Sequence, residues 1–135
     1  MRIGLGYDVH RLEDGRPLIL GGVEIPFGKG LAGHSDADVL LHAITDALLG
    51  ACALGDIGQH FPDTSAEYEN VDSRIMLRNV VGLILDKGFR VNNVDATVVA
   101  ERPKLVDYIP DMRKYIAGDL DVGINDVSVK ATTSE

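Results

Sequence analysis

Residues 35–54, SDADVLLHAITDALLGACAL, are the segment that most constrains the fold. Ser35 with Asp38 three positions on resembles a helix-capping pair, and Gly55 is a typical residue just beyond a helix end, so the pattern predicts one helix over 35–54. Apolar side chains occur on most of its faces, and such a helix must be covered on several sides. A chain of 135 residues can hardly provide all of that cover, so we predict an oligomer.

Turn residues, caps and β-branched runs predict the other elements. These are a strand over 1–10 interrupted by Gly4 and Gly6, a hairpin of 17–20 and 23–25 about Gly21-Gly22, a helix capped by Asp72 or Ser73 and ended by Gly88, a strand over 94–99, a short helix ending near Gly118, and a strand over 127–132. The order is typical of an α/β (α+β) fold. We predict a single domain over 1–135, with helices packed on one face of a mixed β-sheet.

Composition narrows the class of protein. Thirteen basic against 21 acidic residues give a net charge of −8, which argues against general binding to nucleic acid or to an anionic membrane. Local donors or a cation still allow a small phosphorylated substrate. Cys52 is the only cysteine, so no intrachain disulfide can form, and no apolar stretch is as long as a membrane span. With no targeting segment before Ile3, we expect a cytoplasmic protein.

Asp8, His10 and His42 form a candidate metal site. Asp8 and His10 are two residues apart at the end of the first predicted strand, so both side chains lie on one face. Two imidazoles and a carboxylate suit zinc and leave a fourth position for a substrate oxygen. Asp46, four residues beyond His42, is placed to accept the second ring N–H of His42. Asp-x-His pairs also occur by chance and helical histidines are often only hydrogen-bonded, so spacing alone leaves both interpretations open.

Three further segments carry groups that recognise phosphates or hydroxyls. His34 and Ser35 lie at the start of the first predicted helix, where free N–H groups and the helix dipole favour an anion, although a plain helix cap is the alternative. The loop over 56–63 has two acids, which suit sugar or polyol hydroxyls or are simply solvated. The segment 132–135 has three hydroxyls and an acid, which suit a diphosphate with its magnesium ion, unless it is a frayed strand end.

Other chemistries are less well supported by the sequence. The Gly4-x-Gly6 pair lacks the third glycine and the helix of a dinucleotide-binding fingerprint, and the HExxH, P-loop and GxSxG motifs are missing. Two alternatives stay open. One is a zinc hydrolase that uses metal-bound water, with Asp38 or Asp46 taking its proton. The other is a non-enzymatic oligomeric binding module with a structural metal.

Five motifs run in one order along essentially the whole chain. They are GLGYDVH at 4–10, GHSDADVLLHAITDALLGA at 33–51, LGDIGQHFPDT at 54–64, ERPK at 101–104 and VKATTSE at 129–135. Together they resemble the 2-C-methyl-D-erythritol 2,4-cyclodiphosphate synthase family of the non-mevalonate isoprenoid pathway. DVH, HSDADVLLH and ATTSE are weak signals singly, but in this order and spacing they are specific.

The resemblance implies a phosphorus–oxygen lyase that cyclises 4-CDP-2-C-methyl-D-erythritol 2-phosphate to 2-C-methyl-D-erythritol 2,4-cyclodiphosphate and releases CMP. It implies zinc on Asp8, His10 and His42, and a magnesium or manganese ion on Glu135 at the diphosphate. The implied transition-state stabilisers are His34 and Thr133. The implied substrate contacts are Asp8, Val9, His10, His34, Ser35, Asp56, Ile57, Gly58, Phe61, Pro62, Asp63, Thr64, Ser65, Ala100, Glu101, Arg102, Pro103, Lys104, Leu105, Val106, Thr132, Thr133, Ser134 and Glu135.

The resemblance also implies an assembly. The family is a homotrimer with active sites between subunits, where one subunit gives the metal ligands and its neighbour the cytidine pocket. For this chain we expect a bacterial cytoplasmic location. Family members enclose a central cavity said to accept isoprenoid diphosphates. The family continues about twenty residues beyond the motif ATTSE, at which this sequence ends. We expect weak trimer packing and low activity from a chain without them.

Overall fold

Along the described residues four short strands come first, three α-helices follow, and two further strands flank a fourth α-helix, so helices and strands are combined as the α/β (α+β) prediction expects. The structure, a computed structural model, describes residues 1–62, 64–68 and 71–134. The strands are β1 (Leu12–Asp14), β2 (Leu18–Leu20), β3 (Val23–Ile25), β4 (Lys29–Leu31), β5 (Val94–Val99) and β6 (Val127–Thr132). The α-helices are α1 (Val39–Ala51), α2 (Ile57–His60), α3 (Ser73–Asp86) and α4 (Ile109–Leu120).

The strands pair two by two, so the prediction of one mixed sheet is wrong for the described residues. β1 pairs with β4 and β2 with β3, both antiparallel, while β5 and β6 are parallel. The two antiparallel pairs have strands of three residues each, which offer few backbone groups for adding a further strand. The hairpin about Gly21-Gly22 is confirmed. The parallel pair is joined through α4, the crossover that parallel strands require.

The predicted strand over 1–10 is also wrong. A strand requires a hydrogen-bonded neighbour, and none of these ten residues forms a strand pairing with any described residue. The segment lies instead along α1. A Cβ atom on Gly4 would be 1.9 Å from the Ala47 carbonyl oxygen, and one on Gly6 would be 1.7 Å from the Ala43 oxygen. The two glycines therefore allow the close approach that brings the following residues, Asp8 and His10, to the helix.

We expect Gly6→Ala to destabilise the protein by about 1–3 kcal/mol, because the added methyl group cannot fit against the α1 backbone. The melting temperature and the free energy of unfolding would measure this. Gly28→Ala is the matched control, since a Cβ atom there meets nothing within 4 Å. Equal stability of the two variants would show that the segment does not lie against α1.

Helix α1 begins four residues later than predicted, because Asp38 rather than Ser35 is its N-cap. The Asp38 carboxylate is fully buried and accepts the Leu41 N–H at 3.1 Å. It also accepts the N–H groups of Gly21 at 3.0 Å and Gly22 at 2.8 Å, in the β2–β3 turn. One side chain thus fixes both the helix start and the hairpin, which favours Asp38 over Ser35 as the cap.

Asp38→Asn is expected to lower the free energy of unfolding by about 2–4 kcal/mol, because an amide offers one acceptor oxygen to the three N–H groups that the carboxylate accepts. Burial raises the pKa of Asp38 to about 6, against the lowering effect of the backbone hydrogen bonds. Its folded pKa lies above the ordinary 3.8, so the carboxyl contributes most stability below pH 3.8 and loses it as pH rises through about 6. The destabilisation by Asp38→Asn, measured by denaturant unfolding at pH 4 to 7, should therefore shrink with rising pH. A difference that grows with pH would contradict this assignment.

The other helix ends follow local sequence signals. Asp72 caps α3 by accepting the Arg74 N–H at 2.9 Å, and Gly88, at φ +87°, follows its end. α1 ends at Ala51, three residues before the predicted Leu54, and α4 ends at Leu120, just beyond the predicted Gly118. The predicted ends of β5 and β6 are confirmed.

The larger of two core clusters among the described residues lies where α1, α3 and α4 pack together against β5 and β6. It is made of aliphatic side chains and Met112, among them Leu41, Ile44, Leu77, Ile116 and Val127. The buried Asp119 of α4 pairs with Arg74 of α3 through two hydrogen bonds of 2.8 and 3.1 Å. No helix among the described residues is long and apolar enough to cross a membrane.

Candidate metal centre

Asp8, His10 and His42 converge as predicted. The Asp8 Oδ2 atom lies 3.0 Å from His10 Nε2 and 3.3 Å from His42 Nδ1. One ligand atom from each of the three residues lies within 4.8 Å of the other two. The side chains are 29%, 15% and 11% exposed for Asp8, His10 and His42, so the group is largely shielded but open on one side.

The electrostatics of this group favour an ionised carboxylate. Burial alone raises the pKa of Asp8. When His10 and His42 carry a proton on the nitrogen that faces Asp8, their hydrogen bonds and charges outweigh burial and hold this pKa well below its usual range. An ionised oxygen facing two ring nitrogens can hold a divalent ion. The donor set of two imidazoles and one carboxylate suits zinc and leaves a position for a further ligand.

The two histidines are oriented by different means. His10 Nδ1 is buried, with no hydrogen-bond partner in the described part of the chain. A Cβ atom on Gly33 would lie 3.3 Å from the ring, so packing limits where that ring can go. The Nε2 atom of His42 instead contacts Ser73 Oγ at 2.8 Å and Ser35 Oγ at 3.1 Å.

The prediction that Asp46 accepts the second N–H of His42 is therefore wrong. Asp46 Oδ1 accepts the backbone N–H of Ile57 at 2.7 Å, at the start of α2. The hydroxyls of Ser73 and Ser35 occupy the position assigned to it. Ser73 lies 31 residues from His42, so only the packing of α3 on α1 brings it there.

His34 and Ser35 do not lie at a helix N-terminus, which removes the helix-dipole argument for an anion there. They belong to the loop before α1, where Asp38 already occupies the cap. Arg16 holds this loop by donating to the carbonyl oxygens of Gly33 at 2.8 Å and Ser35 at 3.0 Å. His34 Nε2 lies 2.8 Å from the Ser65 carbonyl oxygen. A carbonyl only accepts, so Nε2 donates and Nδ1 is the nitrogen left for a ligand.

These side chains line one cleft of about 350 Å³. It brings together Asp8, His10, His34, Ser35, His42, Ile57, Gly58 and Phe61 of the predicted site, with Ala32, Gly33 and Met76. Asp56 is not among the lining residues, and its carboxylate caps α2 by accepting the Gln59 N–H at 3.1 Å. Ser65, whose N–H donates to the Pro62 carbonyl oxygen at 3.1 Å, adjoins the cleft through its hydrogen bond with His34.

The predicted residues of 100–106 and 132–134 form a second group, at the carboxyl ends of β5 and β6, while Val9 and Thr64 belong to neither this group nor the lining of the cleft. The Ala100 N–H donates to the Thr132 carbonyl at 2.9 Å, and Ser134 donates to Glu101, which lowers the pKa of that carboxyl. No described residue of 100–106 or 132–134 lines the cleft. Asp63 and Glu135 lie outside the described residues, so the predictions for them stay predictions.

Two residues beside the centre were missed by sequence reasoning. Asp36 accepts the hydroxyl of Ser73 and also its backbone N–H, the latter at 3.0 Å. The sequence indicates Ser73 only as a possible helix cap. Because Asp72 is the N-cap of α3, the Ser73 hydroxyl is free for other contacts. The two adjacent cap candidates, Asp72 and Ser73, are the one signal of this in the sequence.

Comparisons with known proteins agree with the five motifs. The model of the YgbB family matches residues 1–135. A Geobacter sulfurreducens protein named 2-C-methyl-D-erythritol 2,4-cyclodiphosphate synthase is 63% identical over all of this chain and 86% of its own length. A Clostridium beijerinckii protein of the same name is 59% identical over all of this chain and 85% of its own length.

Solved structures share the fold. The bifunctional IspDF of Campylobacter jejuni matches with a TM-score of 0.95 and 44% identity, over 99% of this chain and 36% of that one. A 2C-methyl-D-erythritol-2,4-cyclodiphosphate synthase in its CDP-bound form matches with a TM-score of 0.93 and 38% identity, over 98% of this chain and 89% of that one. These matches confirm the resemblance drawn from the motifs.

Proposed function

The chain belongs to the YgbB family, and we propose on that premise that it cyclises 4-CDP-2-C-methyl-D-erythritol 2-phosphate to 2-C-methyl-D-erythritol 2,4-cyclodiphosphate. CMP is the second product, and the step belongs to isoprenoid precursor biosynthesis. The names of the relatives from Geobacter and Clostridium support this activity. The observation that carries it to this chain is the convergence of Asp8, His10 and His42 in a cleft with His34 and Ser35.

The side chains that line the cleft fit this reaction. The phosphate on carbon 2 attacks the β-phosphorus, a new P–O–P bridge forms, and the bond to CMP breaks. A phosphate is already a competent nucleophile at neutral pH, so no activated serine or cysteine is required. Zinc, when bound, supplies Lewis-acid neutralisation of phosphate charge. The chain's own side chains then orient a substrate folded back on itself and stabilise charge through His34 and Ser35.

The second group of predicted residues completes the site in a homotrimer. In this proposal Ala100–Val106 hold the cytidine, and Thr132–Ser134 with Glu135 and a magnesium or manganese ion hold the diphosphate. In this proposal a neighbouring subunit presents both segments to the cleft, and this arrangement is supported by the finding that neither described segment lines the cleft of its own chain. The side chains of Met1, Ile3, Leu5, Tyr7 and Val9 are 71–106% exposed and supply apolar surface for such contacts. The CDP-bound solved relative supports the CDP-linked substrate.

A central cavity for isoprenoid diphosphates and a bacterial cytoplasmic location stay predictions. The effect on trimer packing and activity of the residues that the family has beyond ATTSE also stays a prediction. Sedimentation of the purified protein tests the trimer, because a monomer would leave the two groups of residues apart.

Incubation with the CDP-linked substrate, zinc and magnesium tests the function. We expect equal amounts of CMP and cyclic diphosphate, with no oxygen taken up from ¹⁸O-labelled water. A zinc hydrolase would instead incorporate one labelled oxygen for each bond broken. Incorporation of label, or no CMP release by metal-loaded trimer, would overturn the proposal.

A further inference from the structure

A chain of hydrogen bonds runs from His42 away from the metal centre. His42 Nε2 lies 2.8 Å from Ser73 Oγ, and the Ser73 hydroxyl contacts Asp36 Oδ1. Ser73 is fully buried, so water does not compete for its hydroxyl. Asp36, in the loop before α1, accepts hydrogen bonds from Ser73, the first residue of α3. The Ser73 side chain in turn contacts the ring of His42.

The hydrogen bonds that the Asp36 carboxylate accepts determine which atom donates in each link of this chain. Its carboxylate is contacted by the Ser73 hydroxyl, by the Ser73 N–H at 3.0 Å and by the Asp38 N–H at 3.1 Å. A carboxylate only accepts, and a serine hydroxyl has a single proton to donate. The Ser73 proton is therefore committed to Asp36, and Ser73 Oγ can only accept from His42. The Nε2 atom of His42 must carry the hydrogen.

We propose that Asp36 and Ser73 are positioning residues that fix neutral His42 as its Nε2–H tautomer. In a neutral imidazole the other nitrogen then has the lone pair. That nitrogen is Nδ1, which faces Asp8 Oδ2 at 3.3 Å. With no proton between them, these two atoms repel each other unless a cation lies between them. The pair of residues thus prepares His42 to ligate a divalent ion before any ion arrives.

Ser35 is a second hydroxyl beside His42 Nε2, and it could favour the other tautomer of the ring. Its hydroxyl lies 3.1 Å from His42 Nε2 and could donate to it if the ring were an Nδ1–H tautomer. That arrangement would set the Ser73 and His42 lone pairs against each other at 2.8 Å. The Nε2–H form avoids this repulsion. It also leaves the Ser35 proton free for a ligand in the cleft, since Ser35 Oγ is itself an acceptor for the Ala37 N–H at 3.1 Å.

The tautomer is measured directly by ¹⁵N NMR of histidine-labelled, metal-free protein at a pH where the rings are neutral. We expect His42 to carry its proton on Nε2. Ser73→Ala should populate the Nδ1–H form and weaken zinc binding about tenfold to a hundredfold. Asp36→Asn should act likewise, because an amide NH₂ turned toward Ser73 would let that hydroxyl donate to His42. Zinc affinity is read by competition with a chelating dye.

Two controls separate positioning from loss of structure. Asp72→Ala removes the α3 cap, whose carboxylate accepts the Arg74 N–H, and should lower stability without changing the tautomer. Ser35→Ala should leave His42 in the Nε2–H form. An Nδ1–H tautomer in the unsubstituted protein would overturn the inference, as would unchanged zinc affinity in folded Ser73→Ala and Asp36→Asn. The inference rests on the proposed metal site but needs no substrate, so absence of cyclase activity would overturn the proposed function and leave the tautomer result standing.

Discussion

His42→Ala is expected to lose bound zinc and to slow CMP release by about a thousandfold, a loss of roughly 4 kcal/mol of transition-state stabilisation. His42 is one of only two imidazoles in the centre, and its Nδ1 lies 3.3 Å from Asp8. Without it, Asp8 and His10 alone make a weak site for zinc. Elemental analysis of the purified protein measures the zinc, and a CMP assay measures the rate.

The matched control for this loss is His60→Ala. His60 is half-buried like His42, but its Nε2 contacts the Leu54 carbonyl oxygen at 2.8 Å and it does not line the cleft. It should keep full zinc content and near-normal rates. A His42→Ala protein that is active without zinc would contradict the catalytic metal. One that is zinc-free and unfolded would favour a structural metal, as in a binding module.

His34→Ala is expected to lower kcat by about a hundredfold to a thousandfold while zinc content is kept. His34 lines the cleft beside the metal ligands but is not one of them. Its Nε2 donates to the Ser65 carbonyl, so Nδ1 is the nitrogen left for a ligand, and a hydrogen on Nδ1 as well would make His34 a donor to a phosphate oxygen. Such a donor would stabilise charge that develops on that oxygen during the reaction.

Steady-state kinetics and zinc analysis of His34→Ala, beside His60→Ala, measure this effect. Loss of zinc with loss of rate would mean that His34 supports the metal rather than the reaction. An unchanged kcat with a raised KM would assign His34 to substrate binding alone.

Much of the metal centre could be predicted from local sequence. An Asp-x-His pair places two side chains on one face of an extended chain, and α1 supplies the third ligand from the HSDADVLLH motif. The hairpin about Gly21-Gly22, the start of α3 and both parallel strands also followed from turn, cap and β-branched residues within a few positions. For the hairpin, the helix start and the strands, the residues that decide the structure are neighbours in sequence, whereas the approach of His42 to Asp8 and His10 was implied by the family resemblance.

The errors share a physical cause, which is that distant contacts decided between local options. Ser35 and Asp38 are both good caps, and the N–H groups of Gly21 and Gly22 selected Asp38. Asp46 is the helical neighbour of His42, but Ser73 reaches its ring from another helix. Residues 1–10 have the alternation of a strand, while strand formation depends on a neighbouring chain segment that no local pattern reveals.

Zinc-edge X-ray absorption of the metal-loaded protein, with anomalous scattering from its crystals, tests the convergence of the three side chains most directly. We expect one zinc ion bound by His10, His42 and Asp8, with Zn–N distances of about 2.0–2.1 Å and a fourth ligand that is not protein. Addition of the CDP-linked substrate should replace that fourth ligand with a phosphate oxygen. Zinc bound elsewhere, or closed off by four protein ligands at this site, would contradict the account.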